Sequence, residues 1–125
     1  MIVIDASALL ALLLKEPGHE KVAERLRGSL MSTVNLSEVL ARLVRHGIFP
    51  EESHPKIGEL GITAVSFDLD QAIIAASIRE TARASGLSLA DCCCLALALR
   101  DQLPVLTADK VWQSLGLALN IELIR

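Results

Sequence analysis

The chain has 125 residues, of which 52% are hydrophobic and 22% charged, and its formal net charge is −3. Such a chain is too apolar to be disordered and of a length expected for one compact unit, so residues 1–125 are read as a single domain. The negative balance excludes a protein that coats nucleic acid by non-specific phosphate neutralisation, and an aromatic content of 2%, with no Tyr, excludes recognition by stacking bases on rings. Ile2-Val3-Ile4 reads as a strand buried on both faces, ended abruptly by Asp5. Ala6 to Lys15 reads as a helix stopped by Pro17-Gly18, and His19 to Arg27 as a second helix closed by Gly28. Leu30 to Thr33 fits a short strand. The helix after it, Asn35 to His46, carries Leu36, Val39, Leu40, Leu43 and Val44 as one stripe, with Gly47 as its C-cap.

From Gly47 to Gly61, three glycines and two prolines among charged residues predict a turn-rich segment with one short helix at most. Thr63 to Phe67 is a third strand. Asp68 or Asp70 then caps a helix running to about Ser85, and Ser88 caps another from Leu89 to Asp101. Pro104 to Thr107 is a fourth strand, Asp109 to Leu115 a short helix and Asn120 to Ile124 a last strand. Alternating strands and helices predict an α/β fold with a parallel sheet covered on both faces. The stretch from Phe67 to Leu103 holds two helices, more than a step to a neighbouring strand needs, which predicts the strand order 3-2-1-4-5. Ligands bind such sheets beyond the carboxyl ends of the strands where the winding reverses, here between strands 1 and 4.

Asp5 and Asp109 end up at that reversal, and Glu38 and Asp91, each near a helix start, can lean over the same crevice. Clustered carboxylates suit a hard divalent cation, Mg²⁺ or Mn²⁺, which keeps several waters and takes the substrate's phosphate oxygens as further ligands. One ion can lower the pKa of a water and a second, roughly 3.5–4 Å away, can steady the leaving oxygen of a phosphodiester. The same acids also sit where helix caps sit: Asn35-x-x-Glu38 and Ser88-x-x-Asp91 match the capping box, and Asp5 and Asp109 can be N-caps. An unpaired carboxylate directly after three buried apolar residues is costly, which favours a ligand role for Asp5. On the residues alone, capping and metal binding both stand.

Four segments, Ile2-Val-Ile-Asp5-Ala-Ser7, Asn35-Leu-Ser-Glu38-Val with Arg42 following, Gly86-Leu-Ser-Leu-Ala-Asp91 and Leu106-Thr107-Ala-Asp109-Lys-Val-Trp112, together resemble the PIN-domain family, specifically VapC-type toxins of toxin–antitoxin pairs. The resemblance spans essentially the whole chain in the right order. It implies a PIN-like three-layer α/β/α sandwich with a five-stranded parallel sheet. It implies a Mg²⁺- or Mn²⁺-dependent endoribonuclease in which Asp5, Glu38, Asp91 and Asp109 are the catalytic and metal-binding acids, supported by the hydroxyls of Ser7 and Thr107. It also implies a homodimer silenced by a VapB-like antitoxin, a partnership that accounts for the surplus of apolar residues.

Arg42 and Arg45 share a helix face with Glu38 and are candidates for substrate phosphates, as is Lys110 beside Asp109. The alternative for Arg42 is an ion pair with Glu38. Cys92, Cys93 and Cys94 depart from the family pattern; successive helical residues point about 100° apart, so they read as core packing. His19, His46 and His54 show no ligand spacing and read as surface residues, and Asp68 and Asp70 read as helix-start residues. The apolar run at the start is too short to span a membrane and lacks a basic leader, and the cysteines offer no disulfide framework, so the expected setting is the cytoplasm with no membrane. The competing functional reading is a catalytically inactive PIN-like interaction module, disfavoured by the full set of four acids. A phospho-receiver domain fails for want of paired acids after strand 1, and nucleotide-binding glycine motifs are missing.

Overall fold

Strand β1 (Val3–Ile4) is the middle strand because its residues are apolar on both sides. Ile2 and Ile4 belong to one apolar core and Val3 to another, on the opposite face of the sheet. In the computed structural model, which describes residues 1–125, five strands run in the order β3-β2-β1-β4-β5. They are β2 (Leu30–Ser32), β3 (Thr63–Val65), β4 (Val105–Thr107) and β5 (Ile121–Leu123), and every pairing is parallel. Val3 pairs with both Leu30 and Val105, Ile4 with Leu106, and Thr107 with Leu123.

Helices α1 (Ala6–Leu14), α2 (His19–Arg25), α3 (Thr33–Val44) and α4 (Pro50–Glu59) supply the core on the Ile4 face. Helices α5 (Leu69–Ala84) and α6 (Leu89–Asp101), with a 3-10 turn at Lys110–Ser114, supply the core on the Val3 face, where Trp112 is buried. The result is the expected α/β/α sandwich with the expected strand order. The α5–α6 pair carries the chain from the edge strand β3 to the far side of β1. That crossover makes the reversal between β1 and β4, and so places Asp5 and Thr107 side by side.

Two local expectations are corrected. The segment from Gly47 to Gly61 does hold one helix, but at ten residues it fills most of the stretch, which is less turn-rich than expected. Pro50 at its first turn gives up an N–H that would be unpaired anyway, and Glu51 and Glu52 follow where negative charge favours a helix start. Pro55 forfeits one internal hydrogen bond, which the burial of Ile57 offsets. Helix α3 starts at Thr33, not Asn35: β2 passes directly into it, and the Ser32 side chain caps it by accepting from the Val34 N–H at 3.2 Å. Asn35 and Glu38 are therefore residues of the helix itself and not a capping box.

Candidate active site

Asp5 follows β1 and is the N-cap of α1, and its carboxylate is only 4% exposed. Oδ1 accepts from the Ala8 N–H at 2.9 Å and from Ser7 Oγ at 2.7 Å; Oδ2 accepts from Thr107 Oγ1 at 2.7 Å and lies 2.9 Å from Ser7 Oγ. Ser7 has one hydroxyl proton, so three protons serve the four lone pairs of the carboxylate and one lone pair stays open. The two hydroxyls are themselves held: the Ala108 N–H donates to Ser7 Oγ at 2.9 Å, and the Asp109 N–H donates to Thr107 Oγ1 at 3.1 Å. Burial pushes the Asp5 carboxyl up from 3.8 to about 6, in spite of the hydrogen bonds from Thr107, Ala8 and Ser7, and the charge of Asp91 adds to the rise.

Asp91 lies in the first turn of α6, where it completes a capping box. Ser88 N–H donates to Asp91 Oδ2 at 2.9 Å, and Asp91 N–H donates to Ser88 Oγ at 3.1 Å. Oδ1 of Asp91 has no protein partner among the hydrogen bonds of the fold. Removing the Ser88 hydroxyl breaks one of the two bonds, so Ser88→Ala is expected to lower unfolding stability by about 1 kcal/mol, measured by urea denaturation.

Glu38 stands exposed on α3, and its Oε1 accepts from Asn35 Nδ2 at 2.9 Å. The buried Cys94 thiol locates three of the acids. Burial pushes its pKa well up, and the charges of Asp5, Asp91 and Glu38 push in the same direction, so the three carboxylates lie within electrostatic reach of one sulfur. Asp109 caps the 3-10 turn by accepting from the Val111 N–H at 3.1 Å. Its backbone N–H is tied to the Thr107 hydroxyl, and it borders an open cavity of about 580 Å³ lined by Ser7, Ala108, Asp109, Lys110 and Arg125, but no hydrogen bond brings its carboxylate to the other three acids. No group of three His, Cys, Asp or Glu side chains is drawn close enough to enclose an ion unaided.

The basic candidates are less closely held. Arg42, Arg45 and Lys110 are exposed and form no ion pair, and the alternative pairing of Arg42 with Glu38 is not made. No contact brings Arg42 or Arg45 to the Asp5 pocket, whereas Lys110 lines the cavity. All three cysteines are free and buried, His46 and His54 are exposed, and Asp68 is the N-cap of α5. Sequence reasoning missed Asn35 as part of this neighbourhood. The available signal was its position one helical turn before Glu38, and reading it as a cap hid that.

Among solved structures, the fold is similar to a toxin–antitoxin complex from Klebsiella pneumoniae, at TM-score 0.79 and 16% identity over 100% of this chain and 98% of that one. It is similar to DNA-bound VapBC from Salmonella typhimurium, at TM-score 0.73 and 16% identity over 99% and 98% of the two chains. It is also similar to the Mycobacterium tuberculosis toxin VapC20, described as cleaving the sarcin-ricin loop, at TM-score 0.70 and 16% identity over 94% and 97%. No curated protein sequence matches. At these identities the structural likenesses speak for the fold. Membership rests on the sequence profile described as PIN domain, which matches residues 2–116 and so takes in Asp5, Glu38, Asp91 and Asp109 together: the chain belongs to the PIN domain family.

Proposed function

We propose that this protein is a metal-dependent endoribonuclease of the VapC toxin type, hydrolysing RNA phosphodiester bonds with Mg²⁺ or Mn²⁺ and inhibited by a VapB-like antitoxin. The observation that carries the reading is Asp5: a buried carboxylate with three donors on its four lone pairs, pushed up to about 6 chiefly by burial. A structural cap has no need of that burial.

The donor set fits a hydrated hard cation. The open lone pair of Asp5, the unpartnered Oδ1 of Asp91 and the free Oε2 of Glu38 are all oxygens, and Mg²⁺ is held by one or two carboxylates while water and phosphate oxygens complete its shell. Bound there, the metal supplies Lewis acidity to a phosphoryl oxygen and a lowered pKa to a water.

The chain's own residues do the rest. Ser7 and Thr107 fix the Asp5 carboxylate by hydrogen bonds from two elements, and the backbone N–H groups of Ala108 and Asp109 fix those hydroxyls in turn. Asp109 and Lys110 flank the open cavity, where the ammonium meets a backbone phosphate of the RNA. Arg42 on the helix of Glu38 and Arg45 at its C-cap, both free of ion pairs, take flanking phosphates, and so let an acidic protein hold RNA.

Exposed apolar side chains supply the partner surfaces. Leu69 and Ile73, 73% and 60% exposed one turn apart on α5, suit a homodimer contact. A groove of about 440 Å³ between α1, α3 and α4, lined by Leu13, Leu14, Leu43, Ile48, Ile57 and Leu60, suits an apolar antitoxin segment. No helix is long and apolar enough to cross a membrane, and free buried thiols fit the reducing cytoplasm.

The test is to incubate purified protein with total RNA, with Mg²⁺ or Mn²⁺ and with a chelator, and to sequence the new ends. Defined cleavage sites that vanish in chelator support the reading. Intact RNA in every arm leaves the non-catalytic interaction module in its place.

A further inference from the structure

Asn35 is 1% exposed in the first turn of α3, and both protons of its amide are used. Nδ2 donates to Glu38 Oε1 at 2.9 Å and, across to α6, to the Ala90 carbonyl at 3.1 Å. Turning the amide over would set its oxygen against two oxygens, so the orientation is fixed by its partners. The consequence is that Asn35 Oδ1 is buried with no partner at all. A buried unpaired acceptor costs about 1–3 kcal/mol. Stability alone therefore favours Leu or Ala at this position.

What the amide does accomplish is spatial. Ala90 immediately precedes Asp91, so one side chain grips an acid of α3 and the peptide next to an acid of α6. Glu38 is otherwise exposed and free to adopt several rotamers. Held by Oε1, it keeps Oε2 available and aimed from a fixed place.

We infer that Asn35 is a positioning residue, which sets the spacing of Glu38 and Asp91 for a shared divalent cation by tying Glu38 to the first turn of α6. The inference rests on the metal-nuclease reading above. Hydrogen-bond partners of ligating carboxylates typically govern metal affinity by about 10–100-fold. Asn35→Leu removes the two donors and the unpaired oxygen while keeping the number and branching of the side-chain heavy atoms. It is expected to raise the Mn²⁺ dissociation constant about 10–100-fold by titration calorimetry, while the melting temperature of the metal-free protein stays level or rises. At saturating Mn²⁺, RNA cleavage returns to within a few-fold of wild type. Asn35→Ala, a good helix residue that leaves a small cavity, gives the same shift in metal affinity should the Leu variant not fold. In a Glu38→Gln background, Asn35→Leu weakens Mn²⁺ binding no further, because the two act through one contact.

An unchanged Mn²⁺ constant in both Asn35 variants overturns the inference, whatever happens to melting, and makes Asn35 an interhelical strut. A wild-type protein that binds no Mn²⁺ overturns the nuclease reading first and this inference with it; the wild-type titration tells the two failures apart.

Discussion

Asp91→Asn is expected to lower RNA cleavage by at least ~10²–10³-fold, the scale of losing one charge interaction made in the transition state, while the protein stays folded. The geometry separates the two roles of Asp91. Its Oδ2 accepts the Ser88 N–H in the capping box, and an Asn oxygen can take over that bond, so α6 still starts at Leu89. Its Oδ1 has no protein partner, and the negative charge there is what the substitution removes. Ser88→Ala is the complementary variant: it loosens the cap and leaves the charge, so cleavage stays within a few-fold of wild type while stability drops. Asp70→Asn, in the first turn of α5 and away from the reversal between β1 and β4, should leave cleavage unchanged. Initial rates on an RNA carrying a mapped cleavage site, together with a thermal melt of each variant, check all three. Wild-type cleavage by Asp91→Asn would reject its catalytic assignment.

That double use of Asp91 shows why the site was only partly legible beforehand. A carboxylate three residues after Ser88 has the spacing of a cap and the placement of a ligand, and the folded chain uses it as a cap without spending its second oxygen. The order of the sheet was easier to read, because Ile2-Val3-Ile4 has no polar face to leave exposed and the two helices after β3 are too long a connection for a neighbouring strand. The hydroxyls on Asp5 were not derivable from pattern. Thr107 is 102 residues from Asp5, and only the β1–β4 pairing brings them into contact. They were reached through the family resemblance.

Helix starts were harder. Asn35-x-x-Glu38 imitates a capping box so well that it masks the true cap, Ser32, which is also the last residue of β2, because β2 runs into α3 without a loop. Between Gly47 and Gly61 the glycines and Pro55 outweighed the better signal, Pro50 followed by Glu51 and Glu52. At α3 the residue types are right and the register is not, since a helix that begins directly after the last strand residue leaves no turn to mark it.

The second large effect concerns stability. Asp5→Asn is expected to make the metal-free protein more stable at pH 8, although it alters the centre of the proposed site. The Asp5 carboxyl has a folded pKa of about 6 against 3.8 for the ordinary group, because burial disfavours its charge and Asp91 opposes it. A raised carboxyl pKa means that the native state binds the proton more tightly than the unfolded chain does. The contribution of Asp5 is therefore fully present below about pH 4, falls as pH rises through about 6, and is gone above it. Two units correspond to about 3 kcal/mol, an upper bound on what Asn recovers at pH 8. Asn can still accept from Ala8 N–H, and its amide can donate to Thr107 Oγ1, so the cap and the link to β4 are retained. Asp68 acts in the opposite sense, since the Gln71 amide and Arg100 hold its pKa down and its contribution is lost on acidification. The difference between the wild-type and Asp5→Asn curves cancels that term. Urea denaturation in chelator from pH 4 to pH 8 should show the two proteins converging at the acid end and the variant ahead at the basic end. Adding Mn²⁺ at pH 8 then reverses the order: the wild type gains about 4.1 kcal/mol at a thousandfold excess over its dissociation constant, and the variant, without the central carboxylate, gains little. If Asp5→Asn is instead the less stable protein at pH 8 in chelator, the buried carboxylate serves only as a helix cap, and the strain that argues for a cation beside it does not exist.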